Sequence, residues 1–196
     1  MALSSYYASL QASCVPPGTA PLFTACQFNH NSQMLIAAGS DSKVRIFDLR
    51  KRDCISSWST EGGEEASPVV SLALSPDETA IYTLTSDGKF AAWSLYQAGR
   101  CRMSETIPDN YFESNYPRKA YGRLFALAGN GRHVLVCSTA GGVIYEIGDG
   151  GMQKVLGMKG HAAHATCTDW SVANDCGPCI TAAADGNVRV STLLSQ

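Results

Sequence analysis

The chain has 196 residues, enough for one ordinary domain and short for two. With 45% hydrophobic and 16% charged residues and a formal net charge of -2, it is neither a disordered chain nor an electrostatic nucleic-acid binder. Eighteen Gly, eight Pro and many Ser, Thr and Ala leave few windows for long helices, which disfavours an all-helical fold.

The opening MALSSYYASLQASC lacks Lys and Arg and any unbroken apolar run, so no secretory leader is expected, and no segment has the roughly 18 apolar residues needed to cross a bilayer. An intracellular location follows as the expectation. The eight cysteines are then reduced thiols rather than disulfides, with Cys26, Cys137 and Cys167 packed as small hydrophobes inside strands.

In chain order, FTACQF (23–28), PVVSLALS (68–75), GRLFALA (122–128) and ATCTDWS (165–171) alternate like half-buried strands. Each is followed by a turn and then by a small, β-branched segment of the kind that is buried on both faces: MLIAAGS (34–40), AIYTLTS (80–86), HVLVCST (133–139) and CITAAA (179–184). A second tight turn follows, Asp41-Ser42-Lys43, Asp87-Gly88-Lys89, Ala140-Gly141-Gly142 and Asp185-Gly186-Asn187 in the four copies, and a third strand after it. The markers Asp41, Asp87, Ala140 and Asp185 lie 46, 53 and 45 residues apart, a period that signals an array of supersecondary units. The longer interval holds SETIPDNYFESNYPRKAYG (104–122), which has no alternation and is expected to be a surface loop. The repeats divide the chain at about 21–60, 67–104, 121–158 and 160–196, after a leading segment 1–20.

Third strands that end in an aromatic (VRIFDL at 44–49, FAAWSL at 90–95), the Asp-Gly turns and Gly160-His161 together resemble the WD-repeat family of β-propellers over nearly the whole chain from about residue 21. The resemblance implies an all-β fold of about four blades, in a family whose rings usually close with seven. It also implies a buried network of His, strand hydroxyl, turn Asp and Trp. Here no repeat holds the complete set: the fourth has His161 and Asp185 but Ser191 in the Trp place, the second has Asp87 and Trp93 without Gly-His, the first has Asp41, and the third lacks the Asp. Strings such as FTACQFNHN, TAGGVIY and LGMKGHAAH are similar to the C-terminal half of an endosomal member of that family. This likeness implies a peripheral scaffold of early and late endosomes in the cytoplasm. Its implied partners are a late-endosomal Rab GTPase, the Beclin-containing phosphatidylinositol 3-kinase complex and another WD-repeat protein, with membrane contact only through other regions. It also suggests a fragment or short isoform, whose fourth repeat stops three strands in; LSSYYASLQ (3–11) is a candidate to complete its edge.

Other chemistries are weaker. Cys176-Gly-Pro-Cys179 matches a thioredoxin-type tetrapeptide, but a strand and not a helix follows it and Asp175 would raise a thiol pKa, so a turn is expected. His161 and His164 with that cysteine pair do not have convincing zinc spacing. The remaining histidines, His30 and His133, join no catalytic elbow or spaced acidic pair, and the glycine pairs at 62–63, 141–142 and 150–151 read as turns, not phosphate loops. No catalytic residue, cofactor or metal is expected. The candidate partner surface is Arg50, Lys51 and Arg52 with Tyr111, Phe112, Tyr116, Arg118 and Lys119 of the insertion, a Tyr/Arg mixture of the kind found at interface hot spots; solvated loops are the plainer alternative. A generic WD-repeat adaptor of a ubiquitin ligase or RNA-processing complex would look the same in sequence.

Overall fold

A computed structural model describes residues 21–60, 67–108, 122–148, 150–171 and 177–192. They form four antiparallel meanders in chain order. The first blade is β1 (Phe23–Phe28), β2 (Met34–Gly39), β3 (Lys43–Asp48) and β4 (Asp53–Ser59). The second is β5 (Val69–Leu74), β6 (Ala80–Thr85), β7 (Lys89–Ser94) and β8 (Cys101–Thr106). The third is β9 (Phe125–Leu127), β10 (His133–Ser138), β11 (Gly141–Gly148) and β12 (Gly151–Lys159), and the fourth is β13 (Ala165–Trp170), β14 (Cys179–Ala183) and β15 (Val188–Ser191). The innermost strands β1, β5, β9 and β13 lie side by side, so the sheets fan out as an open arc; among the described residues no extensive contact joins β13–β15 to β1–β4.

The repeat is visible in the register. The pairs Ala38 with Val44, Leu84 with Phe90 and Ala182 with Val188 close equivalent hairpins. The inner strands of blades one, two and four each carry a bulge at the same place, and so do the third strands of the first three blades, which adds twist where adjacent sheets must splay.

Each blade packs on the next through faces of alternating side chains. Ile36, Val44 and Ile46 of blade one meet Leu72, Leu74, Ile81 and Trp93 of blade two. Tyr82, Leu84 and Phe90 of blade two meet Phe125, Leu127, Val134 and Val136 of blade three, with Phe90 stacked on Tyr82 (5.5 Å) and edge-on to Phe125 (5.1 Å). Burial of such a side chain contributes about 1.5–3 kcal/mol. The third interface is thinner: Ala126, Leu135 and Ile144 against Trp170 and Cys179.

Several sequence expectations need correction. Cys137 is buried, but Cys167 is only half-buried and Cys26 is exposed, because β1 belongs to the first blade, where alternate side chains face outward. The segment 179–184 is not buried on both faces: Ile180 is 40% exposed, since no sheet lies beyond β14 among the described residues. The third repeat turns earlier than Ala140-Gly141-Gly142. Ser138 pairs with Gly141, so both glycines lie in β11, where a Cβ on Gly141 would be 2.4 Å from the Met158 carbonyl oxygen and one on Gly142 2.6 Å from Leu135 Cδ1. Gly151 likewise opens β12. The insertion begins later than 104, because Ser104–Thr106 complete β8 and Ile107 is buried between blades two and three. The leading segment with its candidate edge strand 3–11, the 62–63 glycines and Cys176 lie outside the described residues.

Candidate functional site

Three blades carry a turn aspartate, and each treats it differently, depending on what the neighbouring positions supply. In blade four, Asp185 sits at the β14–β15 turn and His161 enters from the segment after β12. His161 Nδ1 lies 3.2 Å from Asp185 Oδ2 and its Nε2 lies 3.0 Å from Thr181 Oγ1. The backbone N–H groups of Asn187 (2.9 Å) and Ala162 (2.8 Å) donate to the same carboxylate. These two backbone donors, aided by His161, hold the Asp185 carboxyl down to about 2. The arrangement ties the inter-blade segment to the hairpin.

Blade two has the other half of the set. Trp93 Nε1 donates to Thr83 Oγ1 at 2.9 Å in a buried bond, and the indole lies 6.3 Å from that of Trp58 on β4. Asp87 is not joined to Trp93; it accepts from the Thr85 hydroxyl, which also receives the Lys89 N–H. Thr83 and Thr181 stand four residues before Asp87 and Asp185, a spacing in the sequence that could have identified both hydroxyl partners. In blade one Asp41 faces Arg45, a buried guanidinium whose Nη1 donates at 3.1 Å and which also lies over the Phe23 ring. Partial burial works against the Asp41 carboxylate, but Arg45 and the Lys43 N–H outweigh it and hold the group below its ordinary range. No signal in the sequence pointed to Arg45.

The candidate thiol chemistry finds an unfavourable place for Cys179. It is fully buried at the start of β14, and burial pushes its pKa up, away from the thiolate that exchange or metal binding requires. Burial, with Cys167 nearby, raises Cys137 further. His30 lies at the β1–β2 turn, His133 opens β10 and His164 lies before β13; among the described residues no three His, Cys, Asp or Glu side chains are placed to share a metal ion.

Arg50, Lys51 and Arg52 occupy the exposed β3–β4 turn. The Lys51 and Arg50 N–H groups donate to Asp48 Oδ1 at 3.1 and 2.9 Å, lowering the Asp48 pKa and fixing the turn so that the basic side chains project from it. Tyr111, Phe112, Tyr116, Arg118 and Lys119 lie outside the described residues.

The WD domain, G-beta repeat family matches residues 12–48. The chain is 36% identical over 201 residues to WD repeat-containing protein 91 of Xenopus tropicalis, covering 95% of this chain and 26% of that protein. The protein of the same name from Pongo abelii is 36% identical over 185 residues, covering 86% and 25%. Among solved structures, the β-propeller domain of Cps50 (Swd1) from Myceliophteria thermophila superposes with a TM-score of 0.68 at 15% identity, covering 89% of this chain and 55% of that one. A chain of the mitotic checkpoint complex gives 0.69 at 14%, covering 91% and 51%. At such identities these likenesses show the fold alone, and the propeller agrees with the meander order and repeated bulges. The chain is a WD-repeat β-propeller chain, homologous over most of its length to WD repeat-containing protein 91, and it spans about a quarter of the length of those relatives.

Proposed function

We propose that the chain is a non-catalytic interaction scaffold of endosomal traffic. In this reading it binds a late-endosomal Rab GTPase, restrains the Beclin-containing phosphatidylinositol 3-kinase complex, works beside another WD-repeat protein and thereby promotes early-to-late endosome conversion. It acts in the cytoplasm, peripherally at early and late endosomes, with membrane contact through other regions. The observation that carries the proposal is the 36% identity to WD repeat-containing protein 91 across 95% of this chain. The polar geometry is in keeping with a scaffold, because the buried His, Asp, Thr and Trp side chains are spent on joining strands and turns. Binding then falls to exposed turns such as Arg50-Lys51-Arg52, which are too few to hold an anionic membrane at about 1 kcal/mol per charge.

Affinity capture with the purified full chain tests this. The expected result is retention of the GTP-loaded Rab and of kinase-complex subunits, with the Rab lost in the GDP form and weakened when Arg50, Lys51 and Arg52 are all replaced by Ala. Recovery of ubiquitin-ligase or RNA-processing subunits in place of both would overturn it.

A further inference from the structure

Blade four, whose tryptophan place holds the small Ser191, leaves a space. In blade two the Trp93 indole fills the position between β7 and the outer strand of blade one, where Trp58 packs on it. The corresponding residue of blade four is Ser191, and in place of an indole there is a cavity of about 170 Å³ lined by Met158, Lys159, His161, Thr181, Arg189 and Ser191. At roughly 30 Å³ per water molecule, that is room for about six, enough for one tetrahedral oxyanion.

The lining is one-sided in charge. Lys159 and Arg189 both reach the cavity, and neither side chain has an acceptor among the described residues. Arg189 lies against the bare backbone of Gly160, so closely that a Cβ there would be 2.9 Å from its Nη1 and 3.0 Å from its Cζ. Among the described residues no carboxylate lines the space. Asp185, which His161 joins to the lining, is itself engaged by His161 and by the Ala162 and Asn187 N–H groups. Thr181 Oγ1, which in blade two would receive an indole N–H, has only His161 Nε2, and the Ser191 hydroxyl has no partner among the described residues.

We infer that this cavity is an anion site for a single phosphate group, free or as a monoester. Arg189 and Lys159 supply charge-assisted hydrogen bonds and the Ser191 hydroxyl a neutral one, with Gly160 giving the guanidinium room to lie flat. Mutual repulsion of the two unpaired cations is relieved when the anion enters, and the attraction is strongest at low ionic strength.

Calorimetric titration of the full chain with inorganic phosphate and, separately, with O-phospho-L-serine at low salt tests the assignment. Saturable binding is expected, weakened about tenfold by Arg189→Gln, the loss of one charge-assisted bond, and abolished by Ser191→Trp, which refills the space. Tighter binding of phosphoserine assigns the site to an esterified group, and tighter binding of phosphate to the free ion. Lys159→Gln changes an exposed side chain and gives a reading independent of folding; it is expected to weaken binding severalfold. No saturable binding of either compound, or binding unchanged in Arg189→Gln and Lys159→Gln, overturns the inference.

Discussion

Blades two and four use the same hairpin in different surroundings. Positions 82, 84, 90 and 92 of blade two and 180, 182, 188 and 190 of blade four occupy equivalent places, fixed by the pairs Leu84 with Phe90 and Ala182 with Val188. Phe90 and Leu84 are completely buried, whereas Val188 and Val190 are 66% and 69% exposed. All are apolar or β-branched, so burial here is a property of the neighbouring sheet and not of the strand. Blade two is held between two sheets, and among the described residues blade four is held on one side only.

The sharpest contrast comes from substituting the same position in each blade, 90 in one and 188 in the other. Phe90→Ala removes a ring packed on Tyr82 and Phe125 and is expected to cost about 3–5 kcal/mol in urea unfolding. Next in size is Gly142→Ala, whose methyl meets Leu135 and lies 3.3 Å from Thr181 Cγ2 in the interface that attaches blade four; about 1–3 kcal/mol is expected by the same measurement. A third prediction concerns acid. The Asp185 carboxyl is held near 2 against an ordinary 3.8, so its contribution is present above about pH 4 and is lost as pH falls toward about 2. The denaturation midpoint of the native chain should drop through that window, and Asp185→Asn should remove part of the drop; an unchanged acid slope would place the stabilisation elsewhere. Smallest is Val188→Thr, expected to change stability by less than about 0.5 kcal/mol because its side chain faces solvent.

The same contrast explains what could be read from the sequence. Inner and second strands were legible because alternation and small β-branched runs reflect packing that every blade shares, and the Asp-Gly turns set their spacing. The outer strands β4 and β8 were marked more weakly, since CISSW and RMSET mix polar and apolar residues at an edge with one covered face. The expectations for Cys26 and Ile180 failed because burial at an end blade depends on a sheet that local sequence does not encode. The missing Trp at Ser191 was legible as an absence. That the space would be walled by Lys159 and Arg189 was not, because Lys159 comes from the preceding blade and only the seating of blade four on blade three brings Arg189 against the neighbouring Gly160.

Hydrogen exchange read by mass spectrometry across the native chain measures directly whether the arc is protected in its middle and open at the fourth blade, as its described residues are arranged. The slowest exchange is expected in β6, β7 and β10 and the fastest strand exchange in β15, the outermost strand of its sheet among the described residues. Protection of β15 equal to that of β6 would contradict it.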